Sequence, residues 1–308
     1  MRPLVLGLVV ASLALAACGG VGAPASTVVP TPQPTSEAVS APSATPTPQP
    51  TPEPTATPAP TPNWDEVPVA AQDEAPLAKQ LATVEAALRD PAIGGKQLAW
   101  YGHLEQLIFG RLADYPEWRE PVLAALPEAQ RAVVARALDA GKELRKLHSG
   151  PAPKTLPDWK IVAPPPAETL LGYYREAEAG FGVPWQYLAA IHLVETRMGR
   201  IRGLSSAGAQ GPMQFMPATW AAYGTGDVND TRDAIVGAAR YLRAAGAPGN
   251  MARALWAYNH SDFYVNAIEL YAQAMKADAN AYRGYHGWQV YYWTEDGPVF
   301  LPDGWVKQ

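Results

Sequence analysis

The stretch Pro184-Trp-Gln-Tyr-Leu-Ala-Ala-Ile-His-Leu-Val-Glu195-Thr-Arg-Met198 decides how this chain is read. Its apolar residues recur at helical spacing, and Leu188, Ile191, Glu195 and Met198 fall on one face. A carboxylate on such a face is costly to ionise, so its pKa is expected to rise. A carboxyl group still protonated near neutral pH can donate to a leaving group. Close behind comes the glycine-rich turn Ser205-Ser-Ala-Gly-Ala-Gln-Gly211-Pro-Met-Gln214-Phe-Met-Pro217, and further on Ala257-Tyr258-Asn259. One acid with polar groups converging on it suggests an enzyme that cuts a sugar chain.

Glycoside cleavage needs a proton for the bridging oxygen and stabilisation of oxocarbenium character at the anomeric carbon. Glu195 can supply the proton. The candidates for a second carboxylate are Asp227, Asp230, Asp233 and Asp262. Asp230 and Asp233 flank a helix start, and Asp262 follows the N-cap candidate Ser261, places where acidic residues serve the helix dipole. None has an apolar setting like that of Glu195, which favours a single-acid mechanism with the substrate supplying the second group. Gly208 and Gly211 let the backbone turn sharply and approach a ligand. Ser205 is a candidate to hold Glu195 or the substrate. Gln214 offers a donor and an acceptor, Met213 and Phe215 an apolar wall, Asn259 a grip on an N-acetyl group, and Tyr258 a hydroxyl near the reacting centre.

Outward from this centre, helices are expected at about 167–179, 184–198, 231–245, 249–258 and 262–276, with Thr231 and Ser261 as N-caps and Gly182, Gly246 and Gly249 marking ends and turns. Before them, Leu77, Leu81, Val84 and Leu88 keep helical spacing, as do Leu104, Leu107, Ile108 and Leu112, and Pro127 to Leu147 forms a third helical stretch. His103 reads as a partly exposed helix residue. After them, Trp288-Gln-Val-Tyr-Tyr-Trp-Thr294, the turn Glu295-Asp-Gly297 and Val299-Phe-Leu301 read as a β-hairpin. The fold class is therefore mostly α, with a short C-terminal β-hairpin.

The chain has 308 residues and a net charge of −5, without the basic stripe that nucleic acid requires. Cys18 is its single cysteine, so neither a disulfide framework nor a thiolate metal cluster is available. Residues 1–17 combine Arg2, an apolar run and small residues before the cysteine, the pattern of a secretory signal peptide. Leu15-Ala-Ala-Cys18-Gly19 resembles a bacterial lipobox, in which the cysteine is acylated. Lipid on Cys18 would anchor the protein to a membrane without a spanning helix. Residues 18–62 are rich in Pro and Thr and favour an extended spacer rising about 3 Å per residue. The expected organisation then runs 63–150 helical bundle or hairpin, 151–166 Pro-rich linker, 167–277 catalytic domain and 278–308 aromatic hairpin extension.

Three motifs together carry a family resemblance: Val194-Glu-Thr-Arg-Met-Gly199, Ser205-x-x-Gly-Ala-x-Gly-x-x-Gln214-Phe-Met-Pro-x-Thr-Trp220, and Ala257-Tyr-Asn259. Residues 167–277 resemble the catalytic domain of lytic murein transglycosylases, within the lysozyme-like superfamily. The resemblance implies a lysozyme-like helical fold and cleavage of the MurNAc–GlcNAc β-1,4 bond of peptidoglycan. It also implies a 1,6-anhydro product, made when the muramyl 6-hydroxyl attacks instead of water. Glu195 would then be the acid and afterwards the base, Ser205 the residue orienting it, Gln214 the groove glutamine, and Tyr258-Asn259 the pair beside the reacting sugar. His260-Ser261 stands where small residues often follow that pair. The other readings are a hydrolytic muramidase using the same acid, a chitin-cutting lysozyme, and a non-catalytic peptidoglycan-binding scaffold. Some family members carry a calcium loop after the turn, but counting from Asp227, positions 6 and 12 here are Arg232 and Ala238, so neither metal nor cofactor is expected. The expected state is a monomeric lipoprotein at the cell envelope.

Overall fold

The computed structural model describes residues 62–147 and 150–307. The signal peptide, Cys18 and all but the end of the Pro/Thr-rich tether lie outside the described residues. From Trp64 onward the chain clusters into one unit.

The first helices are α1 (Glu74–Arg89), α2 (Gly95–Asp114), the short α3 (Arg119–Ala124) and α4 (Glu128–Leu147), with a single 3₁₀ turn at Pro116–Trp118. Leu77, Leu81, Val84 and Leu88 line the buried face of α1, as their spacing requires. Next come α5 (Ala167–Phe181), α6 (Trp185–Thr196), α7 (Pro217–Tyr223), α8 (Thr231–Ala245), α9 (Met251–Tyr258), α10 (Asp262–Ala277) and α11 (Asn280–His286). Strand β1 (Lys160–Ile161) pairs antiparallel with β2 (Ile201–Arg202), and β3 (Val290–Thr294) with β4 (Gly297–Leu301) in a register running from Val290 opposite Leu301 to Thr294 opposite Gly297. The mostly helical expectation and the hairpin both hold.

Helix α6 is central. The whole run Leu188–Thr196 is buried, so the helix is enclosed on all sides rather than along one stripe. Helix α10 lies along both α6 and α4, and α5 packs on α6 and α8. One hydrophobic core consequently runs from Leu77, Ile108 and Val134 through Leu188 and Ile191 to Ile268. Each large aliphatic side chain sealed in it contributes roughly 1.5–3 kcal/mol. A second, smaller cluster of Ile161, Ile201, Val290, Tyr292 and Leu301 fixes the hairpin against the β1–β2 pair.

Several local expectations are corrected. The N-cap of α8 is Asp230, whose carboxylate accepts from Asp233 N, because the aspartate reaches the third amide where Thr231 already has helical backbone. Ser261 does cap α10 by position but makes no side-chain capping bond. His103 is buried, and its Nε2 meets Tyr291 Oη at 2.8 Å, because the hairpin covers α2.

Candidate active site

Glu195 sits in the last turn of α6 and is only 6% exposed. Tyr264 in the first turn of α10 donates its hydroxyl to Glu195 Oε1 at 2.7 Å. Among the described residues no cation pairs with this carboxyl. Burial pushes its pKa up to about 8, with the tyrosine hydrogen bond pulling weakly the other way. At neutral pH the group therefore holds its proton while its second oxygen makes no hydrogen bond.

The end of α6 fixes the turn that follows. Arg197 N donates to Leu193 O and Met198 N to His192 O, closing the helix with a left-handed residue at Arg197. Arg197 and Met198 have φ of 54° and 59°, a conformation that costs a non-glycine residue about 1 kcal/mol or more. Thr196 Oγ1 donates to Pro212 O at 2.6 Å and accepts from Gly199 N at 3.1 Å. One threonine thus ties the glutamate's helix to the glycine-rich turn.

Within that turn Gln210 and Phe215 exchange both backbone hydrogen bonds at 2.8 Å. Gln214 sits at the reversal with φ 50°, and its Nε2 donates to Gly211 O. Gly211 has φ 71°, and a Cβ there would lie 2.0 Å from Val228 O, so the turn tolerates only glycine at this position. Ser205 Oγ accepts from Ala207 N and Ala209 N, at 3.2 and 2.9 Å. The structure therefore places Ser205 as a support of its own turn, with no bond to Glu195. Met213 and Phe215, expected on an apolar wall, are 0% and 2% exposed. They pack beneath the turn because the core draws their side chains away from solvent.

The third motif joins this arrangement through tyrosines. Tyr258 Oη donates to Met213 O at 2.7 Å, and its ring lies parallel to that of Tyr264 at 6.5 Å. Tyr241 Oη holds the α9 end by donating to Ala257 O at 2.6 Å. Asn259 caps α9 and is 6% exposed, yet its side-chain amide makes no hydrogen bond among the described residues. An amide committed to no protein group is available to a ligand.

Of the four candidate second carboxylates, Asp262 is exposed in the first turn of α10 and makes no side-chain bond among the described residues, and the other three have structural work. Asp227 Oδ1 accepts from Asn229 N, Asp230 Oδ1 from Asp233 N, and Asp233 Oδ2 from Asp227 N. The sequence reading missed Tyr264 and Thr196. Tyr264 was signalled only by its place on the stripe Tyr264, Ile268, Tyr271 and Met275.

A buried carboxyl that keeps its proton and has no cation partner, on a helix tied through Thr196 to a glycine-rich turn, is the equipment of an acid catalyst for acetal cleavage. Residues 172–280 match the family model described as the transglycosylase SLT domain. The membrane-bound lytic murein transglycosylase F of Thiobacillus denitrificans is 30% identical over 118 residues, covering 36% of this chain and 25% of that protein. The match thus spans about a quarter of that relative's length. No solved structure matches the chain.

Proposed function

We propose that this chain is a peptidoglycan lytic transglycosylase working at the cell envelope. The single observation that carries the reading is the solitary Glu195, buried and protonated, with Asp227, Asp230 and Asp233 held in turns and caps. Glu195 donates its proton to the oxygen bridging MurNAc and GlcNAc, and the bond from that oxygen to the muramyl anomeric carbon breaks. The muramyl 6-hydroxyl oxygen then bonds to that carbon, its proton passes to the Glu195 carboxylate, and the acid is restored with a 1,6-anhydro product and no water consumed. Tyr264 positions the carboxyl, Gln214 and Asn259 bind the sugars, and Tyr258 braces the turn through Met213 O.

Cys18 carries the lipid in this reading, and the Pro/Thr-rich segment spaces the enzyme from its membrane. Among the described residues no helix is long and apolar enough to cross a membrane. Mass spectrometry of products from purified sacculi tests the chemistry. Anhydromuropeptides are expected, and products with free reducing ends alone would assign a hydrolytic muramidase instead.

A further inference from the structure

A cleft whose lining does not include Glu195 lies where α2, α4, the end of α6, α10 and the entry to the hairpin meet. Its volume is about 60 Å³, and Phe109, Leu138, Leu144 and Trp288 form much of its wall. Two arginines face it, Arg145 from α4 and Arg197 from the close of α6, with Tyr271 from α10. Neither arginine is in a salt bridge among the described residues. Arg197 spends one N–H on Leu193 O and lies over the Trp288 ring at 5.8 Å. Arg145 makes no hydrogen bond there, and Asp114 attracts it through space without closing an ion pair. The Tyr271 hydroxyl is likewise without a bond, although the residue is buried.

Arg145 and Tyr271 converge. A single methyl built on Gly141 would sit 3.6 Å from Arg145 Nη1 and 4.0 Å from Tyr271 Oη. Gln106 is committed elsewhere, exchanging two hydrogen bonds with the Gln289 backbone, so it borders the space without entering the donor set. Two planar guanidinium groups and a phenol, unpaired in an apolar wall, suit a planar anion that brings its own apolar body. The volume equals that of about four or five waters, enough for a carboxylate and a few carbons.

We infer that this cleft binds the C-terminal carboxylate of a peptide ending in a small residue such as alanine. Murein stem peptides present such ends. That source rests on the function proposed above, whereas carboxylate binding does not require the enzyme to be active.

Isothermal titration of the purified chain with N-acetyl-D-alanyl-D-alanine tests the site. Its C-terminal carboxamide, acetate and inorganic phosphate serve as the other arms. The free acid is expected to bind at least tenfold more tightly than the carboxamide and than either small anion. Arg145→Gln removes one donor, and Gly141→Leu fills the space. Each is expected to weaken binding at least tenfold while release of products from sacculi is unchanged. Equal binding of acid and carboxamide, no binding of the acid, or full binding by Arg145→Gln would each overturn the site. Acetate or phosphate binding as tightly as the dipeptide would overturn the assignment to a peptide end. Failure of product release with intact dipeptide binding would count against the proposed function and leave this site standing.

Discussion

Among the described residues two places bury carboxyl groups, and they are built in opposite ways. Glu85 on α1 and Glu105 on α2 lie against each other, and burial raises both pKa values, with Arg89 drawing that of Glu85 back down. Around them Arg89 donates to Glu85 Oε2 and pairs with Asp278, while Trp288 Nε1 donates to Glu105 Oε2 at 2.7 Å. Every direction is closed by protein. Glu195 has one tyrosine, no cation and an unbonded second oxygen. A raised pKa alone therefore does not mark a catalytic acid. Glu85 Oε1 also lacks a hydrogen bond, so what distinguishes Glu195 is a buried carboxyl without a cation partner among the described residues, on a helix tied through Thr196 to the glycine-rich turn.

The same substitution in both places should separate them most sharply. Glu195→Gln removes the donated proton, and product release from sacculi is expected to fall by about 10³-fold or more. Glu105→Gln keeps an acceptor for Trp288 and replaces a protonated oxygen by an amide. Its activity should stay near wild type and its unfolding free energy within about 1 kcal/mol. Loss of activity in both variants, with both folded, would erase the contrast.

The pH dependence follows from the raised Glu195 pKa. kcat/KM should fall above about pH 8, where the carboxyl loses its proton. The same shift affects stability with a definite sign. Between about pH 4.5 and 8 the unfolded chain ionises Glu195 while the folded chain does not, so folding loses free energy as pH rises. Glu195→Gln should relieve this by on the order of 3 kcal/mol at pH 7 and by nothing below pH 4.5, as thermal unfolding at both pH values would reveal.

Smaller effects sharpen the picture. Tyr264→Phe removes the hydrogen bond that lowers the Glu195 pKa, so the alkaline limb should move upward while kcat/KM drops about tenfold. In the turn, Gly211→Ala must displace Val228 O, whereas Gly208→Ala meets nothing within 4 Å and bears only its backbone strain. The first should cost about 2 kcal/mol or more and impair activity, and the second about 1 kcal/mol.

What was legible in the sequence follows the physics of short and long range. The long helices α1, α2, α5, α6, α8 and α10 were readable because apolar spacing repeats over several turns. The short α3, α7 and α11 were not, since about six or seven residues carry too few repeats. The two-residue pairing of β1 with β2 leaves no pattern at all. The setting of Glu195 was legible from Leu188 to Val194, all within its own helix. Its partner Tyr264, 69 positions away, was not, and neither was the burial of Met213 and Phe215 beneath their turn. Motif order brought the right segments together, while the direction of each side chain depended on packing that no local pattern encodes.

The most direct test is to titrate the Glu195 carboxyl itself, following its ¹³C resonance by NMR and assigning it by its absence in Glu195→Gln. A midpoint near 8 is the expected result. A midpoint near 4.5, the ordinary glutamate value, would mean that the group is ionised at neutral pH and has no proton to give.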